Sequence, residues 1–137
     1  MASDQPHYTL TFDGGSKGNP GQGYGSYELR TSDDRARLER RTYGDHVTNN
    51  EAEYQTLIEG LSDIVRTLQT AGKDPSRYRV RVQGDSQLVI RQLTGEWQIK
   101  HPEMRTLHAQ VLTLAKQLGT VEYRWHRREH SVKTLGH

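Results

Sequence analysis

The sequence predicts an α/β domain in which helices flank a five-stranded mixed sheet. Three runs with the two-residue period of strands open the chain, at residues 8–13, 24–30 and 36–42, and their close spacing favours an antiparallel meander. Two further runs of this kind, at 79–85 and 121–125, each follow a helical pattern. Strands joined through helices tend to lie parallel, so the sheet should combine both strand directions.

The composition predicts one soluble domain spanning residues 1–137, with residues 1–6 flexible and 126–137 forming an unusual tail. Nineteen Lys and Arg against seventeen Asp and Glu give a net charge of +2, which permits a polyanionic partner without requiring one. The chain has no cysteine, which excludes a disulfide framework, thiol catalysis and a thiolate metal site. No apolar run approaches the roughly eighteen residues that span a membrane, so we expect a cytoplasmic protein.

Two aspartates end two of the predicted strands. In the first strand Leu10 and Phe12 share one face, whereas Asp13 projects from the other and precedes a glycine-rich segment expected to form a loop. Asp85 ends the fourth strand, and Ser86 can cap the helix that follows. In sheets of this element order the first and fourth strands can lie side by side and parallel, which would bring the two aspartates together.

A third carboxylate, Glu53, lies in the first turns of a predicted helix that begins near Thr48, Asn49 and Asn50, all helix-capping residue types. Apolar side chains then recur at helical spacing, namely Tyr54, Leu57, Ile58, Leu61, Ile64, Val65 and Leu68. At roughly 100° per residue, Glu53 falls just beyond one edge of this stripe. We therefore expect it at the margin of the buried face, within reach of solvent.

Each carboxylate has an ordinary explanation when taken alone. Asp13 is a common turn residue before glycine, Asp85 suits a helix N-terminus, and Glu53 suits the surface of a first helical turn. Together they favour a metal site, because three converging carboxylates repel one another unless a cation is shared. Magnesium fits such a site, and a pair of ions about 3.5–4 Å apart can stabilise the entering and leaving oxygens of a phosphodiester. The expected reaction class is hydrolytic phosphoryl transfer.

Four segments in order resemble the type 1 ribonuclease H family. They are residues 13–21 (DGGSKGNPG), 48–54 (TNNEAEY), 84–89 (GDSQLV), and 121–125 (VEYRW) followed by 128–130 (REH). The resemblance implies a five-stranded ribonuclease H-like fold. It also implies endonucleolytic cleavage of the RNA strand of RNA/DNA hybrids with two Mg²⁺ ions, for which Mn²⁺ can substitute. Asp13, Glu53 and Asp85 match the catalytic, metal-binding acids of the family.

The resemblance also implies substrate contacts. Gly14 and Gly15 would let the backbone approach the RNA minor groove, where 2′-hydroxyls distinguish RNA from DNA. Positions that match the other hybrid-contacting residues of the family are Asn19, Thr48, Asn49, Gln87 and Trp97. Helix capping is an alternative role for Thr48 and Asn49, and a place in the core is an alternative for Trp97.

The tail departs from the family pattern, which has a fourth acid at the start of the last helix. No acidic residue follows Glu129, and alignment puts Leu135 or Lys133 at the position of that acid. Lys133, Glu129 or a histidine could replace it in part, and we expect the last helix to shrink to about one turn. For the histidine that assists proton transfer or product release in the family, position favours His130 over His126 and His137, although a surface histidine is the simpler interpretation.

Two alternatives to a hybrid-cleaving monomeric enzyme remain open, and the first is motivated by the missing acid. The chain could be a catalytically impaired module that binds hybrid or duplex nucleic acid and has lost the fourth acid. It could also be a nuclease that acts on double-stranded RNA, because sequence does not resolve groove width.

Overall fold

The protein was analysed as a computed structural model that describes residues 5–136. The strands are β1 (Tyr8–Lys17), β2 (Gln22–Thr31), β3 (Ala36–Thr42), β4 (Arg79–Gly84) and β5 (Thr120–Trp125). The helices are α1 (Asn49–Thr70), α2 (Gln87–Leu93), α3 (Pro102–Gln117) and α4 (Arg128–Leu135), with a 3₁₀ turn at Pro75–Arg77. None of these helices is both long and apolar enough to cross a bilayer.

The five strands form one mixed sheet in the order β3-β2-β1-β4-β5. β1, β2 and β3 pair antiparallel, whereas β4 pairs parallel with β1 on one side and with β5 on the other. The predicted meander, the parallel strands and the mixed sheet are confirmed. Since β1, β4 and β5 run in one direction, the carboxyl ends of β4 and β5 meet at one edge of the sheet, beside the middle of β1.

The sequence analysis predicted that the glycine-rich segment after Asp13 forms a loop, but much of this segment is strand. β1 continues to Lys17 and pairs with β2 down to the Lys17–Gln22 pair, so only a short turn remains. Gly18 lies in this turn with a φ of +85°, a conformation that glycine adopts without steric cost. The hairpin therefore extends rigid backbone beyond Asp13.

The last helix is longer than expected. α4 has eight residues, about two turns, instead of the single turn predicted from the shortened tail. Leu135 explains the difference, because its side chain is fully buried and anchors the end of the helix. Gly136 then ends α4 in the left-handed conformation, and its N–H donates to the carbonyl of Val132.

Part of the predicted flexible segment 1–6 can be placed. The carbonyl oxygen of Gln5 accepts hydrogen bonds of 3.2 and 2.8 Å from the Arg79 guanidinium. Residues 1–4, to which the same prediction applied, lie outside the described residues, as does His137.

The main core lies between the sheet and α1. The helix begins with a capping box, in which Thr48 accepts from the Glu51 N–H and the Glu51 carboxylate accepts from the Thr48 N–H. Every member of the predicted apolar stripe is buried except Ile58, which is partly buried. The stripe packs on Leu10 and Phe12. The face of β1 that carries these two side chains is therefore the core face.

A buried acid, Asp63, links α1 to β2 and β3. Its carboxylate is 5% exposed and accepts hydrogen bonds from Tyr27 Oη at 2.6 Å and Arg37 Nη2 at 2.8 Å. Burial opposes ionisation of Asp63, but the hydrogen bonds from Arg37 and Tyr27 outweigh it and the net result is a lowered pKa. The ionised carboxylate therefore stabilises the packing of β2 and β3 on the helix.

Replacing Asp63 by alanine should destabilise the fold by about 2–3 kcal/mol, because the buried Tyr27 hydroxyl loses its acceptor. Urea unfolding at pH 7, followed by circular dichroism, measures this difference. Asp33→Ala is the matched control, since Asp33 pairs with Arg35 on the surface. An equal shift in both variants would contradict the assignment.

Candidate active site

Asp13 and Asp85 are brought together by the register of two parallel strands. Phe12 on β1 pairs with Gly84 on β4, and each aspartate follows one residue of this pair, Asp13 within β1 and Asp85 just after the end of β4. Neighbouring strands lie about 4.8 Å apart, which places the two carboxylates side by side. Ser86 caps α2 by accepting from the Val89 N–H, as predicted, and so fixes the turn after Asp85.

Glu53 reaches the same place because α1 crosses β1 at very short range. A Cβ on Gly14 would lie 2.6 Å from the backbone carbonyl carbon of Ala52 and 2.7 Å from the Glu53 nitrogen. Only glycine permits this approach, since real Cβ atoms do not come so close to backbone. Glu53 is consequently 7% exposed and buried, whereas the sequence had placed it at the margin of the buried face.

The three carboxylates form one compact cluster. One oxygen from each of Asp13, Glu53 and Asp85 lies within 4.8 Å of the others. Burial, followed by the charges of Asp13 and Asp85, raises the pKa of Glu53 well above its usual value, although the Gly14 N–H hydrogen-bonds the Glu53 carboxyl and partly offsets the rise. The ionised form of the cluster is therefore costly without a cation.

The cluster suits a divalent metal ion. Glu53 Oε2 is buried and has no hydrogen-bond partner among the described residues, so one oxygen of this acid is left unsatisfied. All three donors are carboxylate oxygens, the ligands that Mg²⁺ and Mn²⁺ prefer. A bound cation would satisfy the orphaned oxygen and cancel the repulsion that raises the Glu53 pKa.

Within residues 126–136, the tail supplies no fourth carboxylate to this cluster. Leu135 is fully buried in the packing of α4, and Lys133 lines a separate polar cavity with Glu28, Arg30 and Gln83. Glu129 is exposed in the first turn of α4. The nearest tail cation is Arg128, whose Nη1 donates to Asp85 Oδ2 at 3.3 Å.

One histidine of the tail, His126, lies near the carboxylates, and a second, His130, contacts it. His130, favoured from the sequence, is exposed and stacks on His126 with ring centroids 5.5 Å apart. His126 is partly buried, and its Nε2 lies 2.8 Å from Ser131 Oγ. Burial lowers the pKa of His126, while the charges of Asp85 and Asp13 act in the opposite direction. The sequence identified His126 only as one of three candidates, because its neighbours depend on the register of β4 and β5.

The predicted substrate residues near α1 form a connected surface. Asn19 Oδ1 accepts from the Asn49 N–H at 3.1 Å, and Asn49 Oδ1 accepts from the Ser16 N–H at 2.9 Å, so the hairpin turn is tied to the start of α1. Thr48 caps the helix. Gly15 lies against Tyr24, whose hydroxyl would be 2.7 Å from an added Cβ. The described contacts of these residues are structural and leave their role toward substrate a prediction.

Trp97 and Gln87 lie on the other side of the helix start. Trp97 is 44% exposed, so it is not the core residue that the alternative required, and the Arg91 guanidinium stacks 5.5 Å from its ring centroid. It lines an open groove of about 600 Å³ together with Asn50, Lys100 and His101. Gln87 is exposed in the first turn of α2.

Comparison with known proteins identifies the family. A family model described as "Reverse transcriptase-like" matches residues 11–133. The solved N-terminal RNase H domain of Rv2228c from Mycobacterium tuberculosis has 32% identity and a TM-score of 0.81, with 94% of this chain and 88% of that chain covered. The chain belongs to the ribonuclease H family.

Other members of the ribonuclease H family support the same assignment. The chain is 37% identical over 94 residues to ribonuclease HI of Halobacterium salinarum, covering 69% of this chain and 43% of that protein. LC11-RNase H1, solved in complex with an RNA/DNA hybrid, has 25% identity and a TM-score of 0.81, covering 92% of this chain and 89% of that one. Over its 114 matched residues the chain spans only 29% of the bifunctional protein Rv2228c, to which it is 38% identical.

In this ribonuclease H chain, Glu53→Gln should stabilise the metal-free protein at pH 8. A folded-state pKa above the unfolded one means that the native state retains a proton longer, so wild-type stability falls as pH rises from about 4.5. The isosteric amide does not ionise. Thermal melts in EDTA should show a higher Tm for the variant at pH 8, and the difference should shrink toward pH 4.

Added Mg²⁺ provides the control for this prediction. It should raise the Tm of the wild type more than that of Glu53→Gln, because ligand binding to the native state adds stability. A variant that melts below the wild type at every pH, without metal, would contradict the account of the cluster.

Proposed function

We propose that this protein is a metal-dependent endoribonuclease that hydrolyses the RNA strand of RNA/DNA hybrids. The observation that carries the proposal is the cluster of Asp13, Glu53 and Asp85 at the carboxyl edge of the sheet, with one oxygen of Glu53 lacking a partner among the described residues. Membership of the ribonuclease H family supports the substrate class. The proposal includes a monomer in the cytoplasm as the working form.

The three acids would hold two divalent ions, Mg²⁺ or in its place Mn²⁺. When bound, such ions supply positive charge to the attacking and leaving oxygens of a phosphodiester. Asp13 lies between the other two acids, since it neighbours Asp85 through the strand register and Glu53 through the crossing at Gly14. It is therefore the residue best placed to bridge both ions.

The surface around the acids would orient the hybrid. Asn19, Asn49 and Gln87 present polar groups beside the cluster, and the groove at Trp97 offers an aromatic face with Lys100 and His101 nearby. Aromatic faces pack against nucleotides, and basic side chains attract phosphates. We assign the RNA strand to the acids and the DNA strand to this groove.

The cleavage assay with Asp13→Asn tests the proposal directly. Purified protein is incubated with end-labelled RNA/DNA hybrid, duplex RNA and duplex DNA of one sequence, in Mg²⁺, Mn²⁺ or EDTA. We expect cuts in the RNA of the hybrid only, dependent on metal, and slower by at least about 100-fold in the variant because a metal ligand is lost.

Asp33→Asn serves as the matched control, since it removes the same charge from an exposed turn at the opposite end of the sheet. Its cleavage rate should equal that of the wild type. Cleavage of duplex RNA at a comparable rate would replace the proposed substrate with double-stranded RNA. Binding of hybrid without cleavage in either metal would favour a binding module that has lost activity with the fourth acid.

A further inference from the structure

We propose that His126 replaces the fourth acid of the family and is a ligand of the second divalent ion, with Ser131 fixing its ring. The inference rests on the proposed function, because it concerns the same metal site. It assigns metal binding to a histidine, whereas the family pattern uses a fourth acid.

The strand register places His126 in one row with two of the acids. Phe12, Gly84 and Trp125 are in register across the parallel strands β1, β4 and β5. The next residue on each strand is Asp13, Asp85 and His126, and the His126 N–H continues the ladder by donating to the Gly84 carbonyl at 2.9 Å. Residues in register on adjacent strands project to the same face, so the imidazole stands beside Asp85.

The place of His126 next to Asp85 in the strand register, outside the three-acid cluster, assigns it to the second ion. The compact cluster with oxygens within 4.8 Å contains the three acids, and His126 borders it on the side of Asp85. Its ring is near enough to interact with the charges of both Asp85 and Asp13. Glu53, by contrast, approaches from the helix crossing at Gly14. An ion shared by the aspartates and away from Glu53 would therefore meet the imidazole.

A buried serine, Ser131, contacts the His126 ring. Ser131 is 1% exposed, and its Oγ lies 2.8 Å from His126 Nε2. Histidines that bind metals donate their other ring N–H to an acceptor, which fixes the tautomer and the orientation of the ring. With Nε2 donating to the serine hydroxyl, Nδ1 would be the nitrogen that carries the free lone pair.

The other candidates among the described tail residues lack this combination of contacts. His130 is exposed and only stacks on His126, while Leu135 is buried in the packing of α4. Lys133 carries the wrong charge and lines a different cavity. An imidazole in place of a carboxylate also changes the metal chemistry, because imidazole suits transition metals better than Mg²⁺.

The test is electron spin echo spectroscopy of the full chain loaded with Mn²⁺, without nucleic acid. We expect ¹⁴N modulation from a coordinated imidazole in the wild type, its loss in His126→Gln, and its retention in His130→Gln. Mn²⁺ titration should show at least about tenfold weaker binding of one ion in His126→Gln. His126→Asp, which restores a carboxylate, should bind Mg²⁺ more tightly than the wild type.

The outcomes separate this inference from the proposed function. Mn²⁺ that binds in an Asp13-dependent manner without ¹⁴N modulation would overturn the role of His126 and leave the carboxylate site intact. Modulation that is lost in His130→Gln and kept in His126→Gln would also overturn it. Failure of the wild type to bind Mn²⁺ at all would overturn both.

Discussion

The close crossing of α1 over β1 at Gly14 is the contact on which the active site depends. Because position 14 has no side chain, the Ala52 backbone can lie against the strand and Glu53 enters the cluster from the helix. The same crossing lets the Gly14 N–H hydrogen-bond the Glu53 carboxyl. A larger residue would push the helix outward and separate the one acid that comes from a helix from the two that come from strands.

The crossing holds the three carboxylates close together, so they repel one another when they are ionised. The backbone positions of Asp13 and Asp85 are fixed by strand register and that of Glu53 by the helix, so the acids can separate only by rotating their side chains. Protein interiors tolerate such a site when function requires it, and the rest of the fold compensates. Here the apolar stripe of α1 and the buried Asp63 network supply that compensation by fastening the helix to the sheet.

The sequence predicted the elements better than the distances between them. Two-residue and helical periods located the strands and α1, and topology alone paired Asp13 with Asp85. The burial of Glu53 was not predicted, because a helical wheel gives an angle around the axis but not how closely the helix approaches the strand. The length of α4 was missed because it depends on the burial of Leu135, and the neighbours of His126 were missed because they depend on the register of β4 and β5.

We propose that the three carboxylates of this ribonuclease H chain jointly hold divalent metal. Anomalous difference density from a crystal soaked in Mn²⁺ tests it most directly, since it locates the ion without any assay of activity. If the three acids bind metal, we expect a strong peak at coordination distance, a little over 2 Å, from oxygens of Asp13, Glu53 and Asp85. Ordered Mn²⁺ elsewhere on the protein, with Glu53 protonated and hydrogen-bonded to Asp13 at full metal occupancy, would contradict it.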